Sequence, residues 1–96
     1  MAQASSERAA GSLTALVTLP DGVDLHARPA ADFVRCAMGF AASIQVDANG
    51  REANAKSLLT VLALGAKGGT ELRLSAVGDD AAAALEALRE RVATLA

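Results

Sequence analysis

The sequence predicts a two-layer α+β domain in which four strands share one apolar face and three helices cover it. Three observations carry this prediction. Four segments alternate apolar and polar residues, three others repeat their apolar residues at helical spacing, and clusters of Gly, Pro, Asp and Asn separate them. Strands with a single apolar face need a cover on one side only, which leaves the other face of the sheet in water.

The elements follow in order. Leu13, Ala15, Val17 and Leu19 point one way and mark a first strand, which PDGVD ends with turn residues. From Ala30 the period changes. Ala30, Phe33, Val34, Ala37 and Met38 sit at i, i+3, i+4, i+7 and i+8, one face of a helix that Gly39 is suited to close. ASIQVD alternates again, with Ala42, Ile44 and Val46 inward. ANG is a tight-turn signal, because Asn49 and Gly50 tolerate positive φ. REANAK returns as the next strand with Ala53 and Ala55 on its inner face, small enough to leave room for a covering element. SLLTVLALG reads as a short helix from Ser57 to Gly65, and TELRLSAV as a fourth strand with Leu72, Leu74 and Ala76 inward. A last helix begins near Asp79, capped by Asp79 or Asp80, with Leu85, Leu88, Val92 and Leu95 as its apolar stripe. The order is βαββαβα. Pattern alone leaves the strand order open, since a ferredoxin-like sheet starts with the same string of elements. No internal repeat or second domain is visible. Residues 1–12, MAQASSERAAGS, read as a flexible tail or the remnant of an interdomain linker ahead of one domain spanning 13–96.

Composition narrows the function. With 52% hydrophobic and 21% charged residues the chain is globular rather than disordered. A net charge of −2, with two Phe and neither Tyr nor Trp, supplies neither the basic stripe nor the stacking platform of a nucleic-acid binder. Cys36 is the only cysteine, so no internal disulfide and no CxxC site can form, which fits a cytoplasmic protein. No apolar run approaches the ~20 residues needed to span a bilayer, and no signal peptide is seen.

His26 is the only histidine, and it falls just before the first helix. Amides in the first turn of a helix have no partner within the helix, and with the helix dipole they favour an anion there. Arg28 adds forked donors suited to phosphate, and Pro29 is tolerated in a first turn. An imidazole is largely uncharged at neutral pH and can act as a nucleophile, so His26 could accept a phosphoryl group held by these amides and by Arg28. Nothing nearby positions a water for hydrolysis, and no second His or Cys stands by to complete a metal site. The chemistry is that of a carrier. Taken alone, the same three residues also describe a loose helix cap and a solvated arginine, since short motifs often match by chance.

The wider sequence adds a resemblance. LHARPAADFV, NG and AKSLLTVLALG occur in register, and from about Leu13 to the last helix the chain resembles the histidine-containing phosphocarrier proteins (HPr) of the phosphoenolpyruvate-dependent sugar phosphotransferase system. The resemblance implies an open-faced sandwich, a four-stranded antiparallel sheet covered by three helices. It implies that His26 is phosphorylated on Nδ1, that Arg28 assists, and that the phosphoryl group rests on the amides of Ala27 and Arg28. Enzyme I would be the donor and a sugar-specific IIA domain the acceptor. Ser57 matches the serine that a dedicated kinase phosphorylates in some members, although its place before LLTVLALG also suits a helix N-cap. Leucines lie almost all round that short helix, so some must stay exposed, and Leu58 and Leu62 are the expected docking residues. The chain is expected to be a monomer, to need no cofactor and no metal, and to act as a transfer intermediate rather than as an enzyme alone.

One stretch departs from the family. In GVDLHARPA, Asp24 occupies the position usually held by glycine, and the turn after Pro20 is about two residues longer. If that position needs positive φ, Asp fits it poorly, and its carboxylate would repel an incoming phosphoryl group. Transfer is therefore expected to be slower than with the usual turn. Two rivals remain at this point. One is the same domain within a larger multidomain phosphotransferase. The other is a regulatory binding module that uses Ser57 and the leucine patch while His26 stays idle.

Overall fold

The structure is a computed structural model that describes residues 12–95. The expected tail lies outside these residues except for Ser12, which already belongs to the first strand. The elements are β1 (Ser12–Thr18), α1 (Ala27–Met38), β2 (Ser43–Ala48), β3 (Arg51–Asn54), α2 (Leu58–Leu64), β4 (Glu71–Val77) and α3 (Ala81–Ala93). Every strand pair is antiparallel, and the sheet order is β1-β4-β2-β3. This order answers what the pattern left open. β1 lies at an edge and pairs only with β4, and the three helices pack on one face, giving the open-faced sandwich the resemblance implied.

Register explains the two faces. Ala15 opposes Leu74, Val17 opposes Leu72, Ile44 opposes Ala76 and Val46 opposes both Leu74 and Ala53, so the inner face is apolar across all four strands. The other face carries Thr14, Leu16, Glu71, Arg73, Gln45, Asp47 and Glu52. Phe33 of α1 is the largest fully buried side chain, and Val61, Leu88 and Val92 from the helices join Leu72, Leu74 and Val46 of the sheet around it. Fully burying one such side chain contributes about 1.5–3 kcal/mol. Asn49 (φ 55°) and Gly50 (φ 81°) turn β2 into β3, as ANG predicts.

The structure corrects four expectations. Met38 is 64% exposed rather than in the core: at i+8 it stands about 80° round the helix from Ala30, at the margin of the apolar arc. Leu13 is 40% exposed because only one strand flanks it at the end of β1. Gly39 closes α1 in a right-handed conformation (φ −77°), with Gly39 N–H donating to Cys36 C=O (3.1 Å). Asp80 occupies the N-cap of α3, but its side chain does not cap that helix. Its two carboxylate oxygens instead accept the N–H groups of Ala41 and Ala42, both at 2.9 Å. These bonds, with that of Ala41 foremost, hold the Asp80 carboxyl below the usual carboxylate range.

Candidate functional site

His26 is the N-cap residue of α1, with extended backbone (φ −144°, ψ 160°) and an exposed side chain that makes no capping bond. The ring is therefore not consumed by local structure. Ala27 follows with φ 47°, a left-handed conformation that a residue with a Cβ adopts at a cost of order 1–3 kcal/mol. The chain enters α1 through this sharp change of direction. The N–H groups of Ala27 and Arg28 have no acceptor among the described residues. Pro29 has no N–H, and Ala30 N–H reaches back to His26 C=O (3.4 Å). The first turn holds no acidic residue. Arg28 is exposed and makes no hydrogen bond or ion pair among the described residues. An imidazole, two unpartnered amides and a guanidinium thus stand together at one helix end, an arrangement that favours an anion.

The other wall comes from the chain after α2. Leu25, fully buried, anchors the segment and donates its N–H to Ala66 C=O (2.8 Å). Asp24, Leu25, His26, Gly65, Ala66 and Lys67 line an open cleft of about 280 Å³. Lys67 is a cation at the site that sequence reasoning missed. Forty-one positions separate it from His26, and only the packing of the two loops brings them to one cleft.

The turn before His26 also differs from expectation. Positive φ falls on Gly22 (79°), not on Asp24, so Asp at that position carries none of the expected backbone strain. The extra two residues have shifted the demand for glycine upstream. The Asp24 carboxylate is engaged as well: its Oδ1 accepts the N–H of Gly68 at 2.9 Å.

Ser57 is the N-cap of α2, and its hydroxyl accepts Thr60 N–H at 3.4 Å, a long capping bond. It lies at the end of α2 away from the His26 cleft, which adjoins Gly65–Lys67. The leucines divide by helical phase. Val61 and Leu64 are buried, Leu62 is half-buried against the core, Leu58 is 42% exposed, and Leu59 is 80% exposed. Leu62 thus offers less surface than expected of a docking residue. Leu59 offers the most, and it was legible in principle, because two residues place it about 200° from Val61 on the helix. Met38 and Leu58 meet in a surface groove between α1 and α2. Cys36 is half-buried and packs against the core as a small apolar group.

Fold and site together define a class: small open-faced α+β sandwiches that present a single exposed histidine at a helix N-terminus. Residues 12–94 match the family described as the phosphotransferase-system HPr component phosphorylation site. The chain is 39% identical over 77 residues to the phosphocarrier protein HPr of Mycoplasma capricolum, covering 80% of this chain and 84% of that one. A multiphosphoryl transfer protein of Vibrio cholerae is 45% identical over 78 residues, which are 78% of this chain but only 20% of that protein. The crystal structure of the phosphocarrier protein HPr from Bacillus anthracis superposes with a TM-score of 0.80 at 36% identity, covering 84% of this chain and 96% of that one. The chain belongs to the HPr family, the phosphocarriers of the phosphotransferase system. No helix among the described residues is long and apolar enough to cross a membrane.

Proposed function

We propose that this chain carries a phosphoryl group on His26, taking it from phospho-enzyme I and passing it to a sugar-specific IIA domain. The observation that carries this reading is the exposed, unbonded imidazole of His26 beside the unpartnered N–H groups of Ala27 and Arg28. The lone pair of a neutral ring nitrogen, Nδ1 by family resemblance, attacks phosphorus. The donor's N–P bond breaks, and its electron pair returns to the donor nitrogen. The two amides and Arg28 hold the phosphoryl oxygens in the product. No water is activated, so the group waits for the next acceptor.

Docking falls to the exposed apolar surface of α2 and α1. Leu58 and the half-buried Leu62 are joined by Leu59 and Met38, which expose more area. Truncating an interface anchor typically costs more than about 1 kcal/mol of binding, so these side chains set affinity for both partners. Ser57 is an additional phosphorylation position for a serine kinase, and a phosphate there would stand at the N-terminal end of α2 beside the docking leucines. The multidomain relatives support a second context, in which the same domain works within a larger phosphotransferase. In both contexts the domain works as a cytoplasmic monomer unit.

The test mixes the protein with enzyme I and phosphoenolpyruvate and looks for an acid-labile adduct. Wild type gains one phosphoryl group and His26→Ala gains none. An adduct that survives in His26→Ala, or none on wild type, would overturn the reading. Phosphorylation at Ser57 without any at His26 would instead favour a regulatory binding module.

A further inference from the structure

The segment that delivers His26 is stitched to the loop after α2 by four hydrogen bonds. Leu19 N–H donates to Thr70 C=O (2.9 Å), Gly69 N–H to Leu19 C=O (2.9 Å), and Leu25 N–H to Ala66 C=O (2.8 Å). These three join backbone to backbone, so they do not depend on side-chain identity. The fourth does: Gly68 N–H donates to Asp24 Oδ1 at 2.9 Å. It lies where the two loops are closest. A Cβ on Gly68 would stand 2.5 Å from Gly22 N and 2.9 Å from both Pro20 O and Val23 N, so the lengthened turn rests directly on a residue that must lack a side chain.

Asp24 also holds His26 itself. The Asp24 C=O accepts the His26 N–H at 2.8 Å, a three-residue turn that ties the two backbones together. One residue therefore grips the opposite loop with its side chain and the nucleophile with its main chain. His26 sits at the end of an otherwise weakly held segment. Its ring makes no bond, Ala27 beyond it is in a left-handed conformation, and Arg28 is unpaired.

We propose that Asp24 is a positioning residue for phosphoryl transfer: its bond to Gly68 N–H fixes the long turn, and through the Asp24–His26 turn it fixes the direction in which the imidazole is presented. This rests on reading His26 as the nucleophile. It reverses the expectation from sequence. The carboxylate that looked like a repulsive intruder is the clamp that the two extra residues require. Orientation of this kind matters because a misplacement of ~1 Å can cost about 100-fold in rate.

Two substitutions separate the clamp from the charge. Asp24→Asn removes the charge but keeps an oxygen that can accept the Gly68 N–H, whereas Asp24→Ala removes both. The measurements are the rate of His26 phosphorylation by enzyme I and phosphoenolpyruvate, resolved into kcat and KM for this protein, and the hydrogen exchange of the Gly68 amide. Asp24→Ala is expected to lower kcat by about five- to tenfold with little change in KM, and to expose the Gly68 amide to exchange. Asp24→Asn is expected to recover most of the rate and the amide protection. If wild type forms the adduct and Asp24→Ala matches or exceeds its rate, the positioning role is overturned while the carrier reading stands. Equal losses in both variants would likewise overturn it, because the charge would then be what matters. If wild type forms no adduct, the carrier reading and the positioning role fall together.

Discussion

The two ends of α1, about 18 Å apart over its 12 residues, are held by the same device with different outcomes. At the far end Asp80 accepts Ala41 and Ala42 N–H, and the neighbouring Gly78 has no room for a side chain, since a Cβ there would stand 2.9 Å from Ala42 Cα. At the site end Asp24 accepts Gly68 N–H, and Gly68 is closed in by the backbone of Gly22, Pro20 and Val23. Each clamp is an aspartate taking backbone N–H from a segment more than 35 positions away, beside a glycine at close approach. The difference is in how much each binds. Asp80 commits both oxygens, and Lys56 Nζ holds the same loop by donating to Phe40 C=O (2.6 Å). Asp24 commits one oxygen to one amide, and its main chain goes to the nucleophile. The distal clamp anchors structure, whereas the site clamp orients a reacting group.

The sharpest way to break this contrast is to fill the two glycines. Gly68→Ala and Gly78→Ala each force backbone apart and should cost about 1–3 kcal/mol in urea unfolding, with added strain at Gly78 from its φ of 144°. Only Gly68→Ala should also slow phosphorylation of the folded protein. Equal effects on transfer would erase the distinction between the ends.

A smaller effect is expected from Asp80→Ala, which should lower the urea midpoint and leave the transfer rate unchanged. Its signature is the pH dependence. The folded-state pKa of Asp80 lies below its unfolded value, near 3.9 for a free Asp side chain. The stability it adds is therefore complete above about pH 5 and is lost as pH falls through the lowered folded value. The gap between wild type and Asp80→Ala should be constant at neutral pH and close in acid. A gap that persists undiminished in acid would mean that the carboxylate's charge is not what holds the loop.

The smallest effect sets a baseline midway along α1. Arg35 and Asp32 form a 3.0 Å ion pair on the surface, with the arginine side chain 74% exposed. Arg35→Ala should cost about 0.5 kcal/mol or less in unfolding and move neither transfer nor acid stability.

Most of the fold was legible because its signals are periodic. Inner-face residues such as Leu72, Leu74 and Ala76 alternate, Phe33, Val34 and Ala37 repeat at helical spacing, and Asn49–Gly50 encodes a turn that two positive φ values realise. What was misread lies where periodicity ends. Met38 sits at the margin of its arc and Leu13 at the end of an edge strand, and in both places exposure depends on neighbours that a one-dimensional pattern does not contain. The candidate site divides in the same way. His26, Arg28 and the free amides of the first turn follow from local order along the chain, because a helix start leaves its first N–H groups unpaired wherever it occurs. Lys67 and the partner of Asp24 do not, because they belong to a loop some forty positions away.

The sequence alone determined the seven elements, the face each one buries and the presence of a nucleophile at a helix N-terminus, since these depend on spacing of a few residues and on local hydrogen-bonding rules. Tertiary structure decided the strand order that puts β1 at an edge, and the meeting of the lengthened turn with Gly68. It also decided the use of both aspartates as acceptors for distant amides. The reason is physical. A carboxylate finds a partner wherever an unsatisfied N–H lies within 3 Å, and which N–H that is depends on how two loops pack, not on the residues beside it.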